Sequence, residues 1–199
     1  MSIKSLDSEY IAGTYNRFPV EIVSGKGAVF TDSSGKEYID MGSGIGVNIF
    51  GAADTEWENA VISQLGKVQH TSNLYYTEPC VKLAELLCGK TGMSKVFFSN
   101  SGAEANECAI KAARKYAYKK GTGRYEFIAM KESFHGRSFG ALSVTGHDPY
   151  RAPFEPLVPG VSFAEYNDLD SVKALVTDKT CAIILEPLQG EGGINLATE

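Results

Sequence analysis

The sequence predicts an α/β layered fold on a mostly parallel sheet, and three observations carry that prediction. From residue 95 onward, short apolar runs alternate with stretches of helical spacing. The run Ala182-Ile183-Ile184-Leu185 is apolar throughout, as suits a strand covered on both faces. A small turn, Ser99-Asn100-Ser101-Gly102-Ala103, joins the strand-like Val96-Phe97-Phe98 to a long helical pattern. The chain divides into an N-terminal segment with short strands, 1–54, and the first part of a larger α/β domain, 55–199.

Each element has its own signal. Residues 1–18 are mixed and polar, with Tyr10, Tyr15 and Phe18 as packing anchors. Stretches 20–23, 28–31 and 37–40 read as short strands, and Asp32-Ser33-Ser34-Gly35 supplies hairpin turn chemistry between the last two. Gly42-Ser43-Gly44-Ile45-Gly46 fits G-x-G-x-x-G in neither register and reads as a loop, not a dinucleotide fingerprint. Stretch 55–67 has helical spacing, with Trp57, Ala60, Val61 and Leu65 on one stripe and Thr55 as cap. A second helix is expected over 78–87. Strands at 95–98, 126–130, 161–164 and 181–185 then alternate with helices at 103–120, 137–144 and 169–176. Neither internal repeats nor low-complexity tracts are present.

Composition narrows the function classes. With 199 residues, 43% hydrophobic and 22% charged, the chain has the balance of a soluble globular protein. A net charge of −5 argues against nucleic acid as a partner and gives no reason to invoke an anionic membrane. The cysteines Cys80, Cys88, Cys108 and Cys181 form no C-x-x-C pair and read as buried free thiols of a reducing compartment. The three histidines have no metal-site spacing, so no metal is expected. The N-terminus carries no signal-peptide pattern and no apolar run reaches membrane-spanning length, which makes the cytoplasm the default location.

Three stretches carry candidate chemistry. A Gly-containing turn at a helix N-terminus presents bare N–H groups and the positive end of the helix dipole, a seat for phosphate or another anion. Ser101, Gly102 and Ala103 form that turn; an ordinary Ser-capped βα turn reads the same way. Glu104 would repel a phosphate there unless it points away. In Ser133-Phe134-His135-Gly136-Arg137-Ser138, Phe134 could stack on a flat ring and Arg137 could grip a carboxylate through paired N–H bonds. In Glu186-Pro187-Leu188-Gln189-Gly190-Glu191-Gly192-Gly193, Glu186 follows four apolar residues and Glu191 is flanked by glycines. All three stretches follow strands, and in open α/β sheets ligands bind beyond the carboxyl ends of the strands.

The motifs S-N-S-G-A-E-A (99–105), F-H-G-R (134–137) and E-P-L-Q-G-E-G-G (186–193) resemble the class III aminotransferases, nearly end to end and in matching order. Within them the resemblance is to those acting on N-acetylornithine, and His70-Thr71-Ser72-Asn73-Leu74-Tyr75-Tyr76 agrees. The resemblance implies a pyridoxal 5'-phosphate enzyme of the aspartate-aminotransferase-like fold type I. Here that fold is present as an incomplete large domain plus an N-terminal segment belonging to the small domain. It further implies a cytoplasmic homodimer serving amino-acid biosynthesis, with a small-molecule amino donor and a 2-oxo acid acceptor.

Position by position, the resemblance has Ser101, Gly102 and Ala103 holding the cofactor phosphate, Phe134 stacking on the pyridine ring and Glu186 supporting the cofactor. Arg137 binds a substrate carboxylate, and Glu191 is the gate-like carboxylate that lets one site handle an ω-amine and a 2-oxo acid. Two departures stand out. The family's G-H-x-H-P is absent after Val47-Asn48, where Ile49-Phe50-Gly51-Ala52-Ala53-Asp54 stands instead. The family's pyridinium-pairing Asp and Schiff-base Lys have no counterpart within 1–199. The 199-residue chain is therefore expected to be inactive alone, as the N-terminal part of a transaminase. The alternative is a non-catalytic truncated or split-gene product acting as a binding module.

Overall fold

The computed structural model describes residues Ser2–Thr198 and divides into two compact units, Met1–Cys80 and Val81–Glu199. The first unit begins with helix α1 (Ile3–Tyr10), absent from the sequence reading of this polar stretch. Its start is set by Ser2, whose side chain accepts from the Ser5 N–H at 3.2 Å. Strands β1 (Ile22–Lys26), β2 (Val29–Asp32) and β3 (Glu37–Ile39) form an antiparallel sheet in that order. Asp32 organises the second turn. Its Oδ1 accepts from Ser34 N–H (2.8 Å) and Lys36 N–H (3.0 Å), and its Oδ2 accepts from the Tyr38 hydroxyl (2.9 Å).

The glycine-rich stretch after β3 is a single turn, α2 (Ser43–Gly46), in which Gly44 (φ 59°) and Ile45 (φ 58°) take the left-handed conformation. The segment that departs from the family pattern is tied back to the sheet: Ala52 pairs with Gly27, and a Cβ on Gly51 would meet the Gly27 carbonyl oxygen at 2.7 Å. Helix α3 (Thr55–Leu65) is capped by Asp54, not by Thr55; the Asp54 side chain accepts from Trp57 N–H at 2.7 Å. Helix α4 (Glu78–Thr91) runs beyond the expected 87 and across the division between the units.

Tyr10, Tyr15, Phe18, Trp57 and Leu65 are all exposed, so the expected anchors and stripe lack cover from the described residues. The four cysteines are free, but Cys80 is exposed and the others are only half-buried, contrary to the reading of buried thiols.

The second unit carries helix α5 (Gly102–Lys119), β4 (Glu126–Met130), short helices α6 (Phe139–Ser143) and α7 (Asp148–Arg151), and a 3-10 turn (Ala152–Phe154). It continues with β5 (Val161–Ala164), α8 (Leu169–Leu175), β6 (Thr180–Ile183), β7 (Leu188–Gln189) and β8 (Asn195–Leu196). The sheet is parallel in the order β5-β4-β6, with Phe127 opposite Val161 and Ile128 opposite Ile183. Strand alternation splits β4 between two cores. Phe127 and Ala129 join Ile110 of α5 and Val144 on one face; Ile128 and Met130 join Ala164, Val172 and Leu175 on the other. Burying a side chain such as Ile128 contributes roughly 1.5–3 kcal/mol, so β4, buried on both faces, is the main contributor to the unit's core.

One strand expectation fails and another holds only in part. Residues 95–98 form no strand, because no strand among the described residues pairs with them, and Phe97 is 64% exposed. The run 182–185 is not covered on both faces: Ile183 and Leu185 are about half exposed at the free edge beside β4. No described helix is long and apolar enough to cross a membrane.

Candidate functional site

The loops at the carboxyl ends of the parallel strands converge on the start of α5. Ser101 is the N-cap, and its hydroxyl accepts from Glu104 N–H at 3.2 Å. Glu104 folds back so that its carboxylate accepts from Asn100 N–H at 2.6 Å, a capping box displaced by one residue. The N–H groups of Gly102 and Ala103 donate to nothing among the described residues, and a Cβ on Gly102 would face open space. The acidic residue that threatened the anion seat is thus spent on Asn100, and the seat keeps two free donors.

The loop after β4 packs directly on this helix start. Gly136 adopts φ +128°, and a Cβ there would lie 2.7 Å from the Ala103 Cβ. Asn106 donates from Nδ2 to the His135 carbonyl at 2.7 Å. Glu107 accepts from the Ser138 hydroxyl at 2.6 Å and from Ala141 N–H at 3.0 Å. Those bonds, led by Ser138 and joined by the N–H groups of Ala141 and Gly140 and by Lys111, hold the Glu107 carboxyl below its usual range against the opposing effect of burial. Thr145 fixes the loop from beneath: it accepts from His135 N–H at 2.9 Å and donates to Ala141 O at 3.1 Å. The His135 ring is buried, its Nε2 has no partner among the described residues, and burial lowers its pKa, which disfavours the charged imidazolium.

The third loop meets the second through Glu186, whose carboxylate accepts from Phe134 N–H at 3.1 Å. Burial pushes the Glu186 carboxyl up and that bond partly offsets it. Its backbone is held as well, since the Tyr166 hydroxyl donates to Glu186 O at 2.9 Å. The β7–β8 hairpin, which carries Glu191, docks on the end of β4: buried Gln189 donates to Lys131 O at 2.8 Å, and Gly192 lies against the Glu132 carbonyl with no room for a Cβ.

Phe134, Arg137 and Glu191 meet around Tyr150, a residue the sequence reading did not single out. The Arg137 guanidinium lies 3.8 Å from the Tyr150 ring centroid and 5.6 Å from that of Phe134; the two rings stand edge to face at 6.1 Å. The Tyr150 hydroxyl donates to Glu191 Oε1 at 2.9 Å. That bond, together with the Glu191 charge, pushes the phenol pKa up. Tyr150 is fixed by its neighbours. His147 packs on its ring at 4.5 Å and bonds Glu132 at 2.7 Å, while Arg151 pairs with Asp148 and stacks on Phe163 of β5 at 4.2 Å. The turn residues Gly146, His147, Asp148 and Pro149 mark a loop in the sequence, but nothing in them tells where the next ring lands.

All seven predicted site residues therefore belong to connected loops of the second unit. Ser101, Gly102 and Ala103 form one edge, Phe134 and Glu186 the middle, and Arg137 and Glu191 the other edge. The arrangement offers free backbone donors for an anion, a half-buried aromatic face, and a cation whose N–H groups make no ion pair among the described residues.

Comparison with known proteins identifies the family and the fold. The family model "Aminotransferase class-III" matches residues 10–199. The chain is 48% identical over 194 residues to acetylornithine aminotransferase of Haemophilus ducreyi, covering 96% of this chain and 49% of that protein. It is 48% identical over 191 residues to acetylornithine aminotransferase of Aquifex aeolicus, covering 96% and 51%. Among solved structures, ornithine aminotransferase from Toxoplasma gondii superposes with a TM-score of 0.90 at 29% identity, covering 98% of this chain and 47% of that one. N-acetylornithine aminotransferase from Stenotrophomonas maltophilia gives 0.77 at 34% identity, covering 98% and 47%. The chain spans about half the length of the curated relatives it matches. Its fold is a partial aspartate-aminotransferase-like domain of fold type I. The chain belongs to the class III aminotransferases.

Proposed function

We propose that this chain supplies the phosphate-holding and carboxylate-binding part of a pyridoxal-phosphate site. The whole protein is then a transaminase moving an amino group from N-acetylornithine, or a similar ω-amine, to 2-oxoglutarate. The observation that carries the reading is the packing of Gly136 on Ala103, which brings the loop bearing Phe134 and Arg137 against the start of α5.

The residues present fit the cofactor. Gly102 and Ala103 hold two unspent N–H donors at a helix N-terminus, Ser101 caps the same turn, and Glu104 is engaged elsewhere. Pyridoxal phosphate, when bound, supplies an electron sink for the substrate's bonds to its amino-bearing carbon. The chain's own residues orient and select. Phe134 offers a ring face against the pyridine, and Glu186 fixes the Phe134 backbone through its N–H. Arg137 presents a planar fork of donors to a substrate carboxylate. Glu191, held by Tyr150, is the charged gate that answers a donor and an acceptor of different shape. In this reading residues 1–54 are part of the small domain and 55–199 the first part of the large cofactor domain. The whole protein is a cytoplasmic homodimer with no nucleic-acid or membrane partner.

The reading is tested by fluorescence titration of the 199-residue chain with pyridoxal phosphate. Saturable binding, competed by inorganic phosphate and weakened at least tenfold by Gly102→Asp, is expected; the open space at Gly102 accommodates that side chain without disturbing the fold. An affinity unchanged in Gly102→Asp removes the phosphate seat from the account. Borohydride reduction of the same mixture should leave no pyridoxyl group on any single lysine. A stoichiometric adduct at one lysine would show that the reactive lysine lies within this chain.

A further inference from the structure

We infer that Tyr150 is a positioning residue that keeps Arg137 and Glu191 apart and thereby keeps the Arg137 donors open to a substrate carboxylate. The inference rests on the reading of Arg137 as the carboxylate-binding cation.

Arg137 and Glu191 are opposite charges that touch the same aromatic ring, yet they form no ion pair. A direct pair would occupy the donors that a substrate carboxylate needs. Tyr150 engages each group through a different part of its side chain. Its ring face takes the guanidinium at 3.8 Å, and a guanidinium stacked on a ring and turned toward its hydroxyl is not paired with the carboxylate. Its hydroxyl takes the Glu191 carboxylate at 2.9 Å. Phe134, standing edge-on to Tyr150, adds a second wall to the corner in which Arg137 lies. His147, itself bonded to Glu132, packs on the ring, and the next residue, Arg151, is stacked on Phe163 of β5.

Removing only the hydroxyl keeps the stack and frees Glu191 to compete for Arg137. The consequence is a coupling between two substitutions that a merely structural tyrosine would lack. The test is a double-mutant cycle on glutarate binding to the 199-residue chain at fixed salt and pH, followed by amide chemical shifts. Tyr150→Phe should weaken glutarate binding roughly tenfold, equivalent to about 1.4 kcal/mol. Glu191→Gln should then strengthen binding several-fold more in the Tyr150→Phe background than beside Tyr150. Equal effects of Glu191→Gln in both backgrounds overturn the inference. So does a loss of binding in Arg137→Met without any loss in Tyr150→Phe. If Arg137→Met itself leaves glutarate binding unchanged, the carboxylate-binding reading falls and the inference falls with it. A second measurement covers poor folding of Tyr150→Phe. In the unsubstituted chain the Arg137 Nε–H resonance should be shifted by the Tyr150 ring current, and a random-coil position overturns the stack.

Discussion

Glu107, on the second turn of α5, accepts from Ser138 Oγ at 2.6 Å across the gap to the loop after β4. A single carboxylate thus ties the anion seat to the loop that carries Phe134 and Arg137. The tie also extends to Ala141 N–H, so it anchors the start of α6.

Glu107→Ala should destabilise the second unit by about 1–2 kcal/mol, because it leaves the part-buried Ala141 N–H without an acceptor and breaks the exposed bond to Ser138. The Glu107 carboxyl is held below its ordinary value of 4.5, so its contribution is fully present above that pH and is lost as pH falls through the lower folded value. Thermal melts of the unsubstituted chain and Glu107→Gln should differ by a constant amount above the ordinary carboxyl value of 4.5 and converge as the pH falls below it. A difference that widens on acidification would contradict this.

Glu186 should behave in the opposite sense. Burial raises its carboxyl pKa, so the folded state holds the proton more tightly than the unfolded one, and stability falls as pH rises through the window above 4.5. Glu186→Gln keeps an oxygen for Phe134 N–H and should melt at the same temperature or higher at pH 7. The advantage should vanish near pH 4. A lower melting temperature at pH 7 would assign the carboxylate a stabilising role that its burial does not predict.

Gly136→Ala should cost more than about 1 kcal/mol, since it forces a Cβ against Ala103 and a positive φ on a residue that resists it. Gly102→Ala, with nothing near its Cβ, should change stability by less than about 0.5 kcal/mol. Comparable losses in both variants would show that the two loops are not in close contact.

In the first unit, Asp32→Asn should loosen the β2–β3 turn. Hydrogen bonds, led by that from Ser34 and including Lys36 N–H and the Tyr38 hydroxyl, lower its pKa from 3.8 to about 2. Its stabilising effect is present above 3.8 and lost as pH falls through about 2. Amide exchange at Lys36 should accelerate in Asp32→Asn at neutral pH; unchanged protection would remove Asp32 from control of the turn.

The parts legible in the sequence are those whose causes are local. Strand β5 and the central strand β4 match their expected bounds because their apolar runs are bounded by turn residues and find partners within the chain. The cap at Ser101 is readable because a Ser beside a Gly stands where an apolar run gives way to helical spacing. Residues 95–98 carry the same aromatic, β-branched signal as a true strand, yet a strand needs a neighbour to bond. Tyr150 was invisible for a different reason. Its place depends on Arg151 reaching Phe163 and on His147 reaching Glu132, contacts between residues far apart in sequence that no local pattern encodes. Nothing local in the sequence marks Glu107, and only the fold shows it bridging to Ser138.

The displaced capping box at Ser101 and Glu104 completes α5 without any ligand. Its hydroxyl and carboxylate satisfy Glu104 and Asn100, and leave Gly102 and Ala103 pointing outward in a turn that is already ordered. An arriving phosphate therefore does not have to freeze the loop, and little of its binding energy is diverted to conformational entropy. The on-rate for phosphate esters should then be limited by diffusion and charge rather than by loop rearrangement, a property built into the helix start by two side chains that order the turn beforehand.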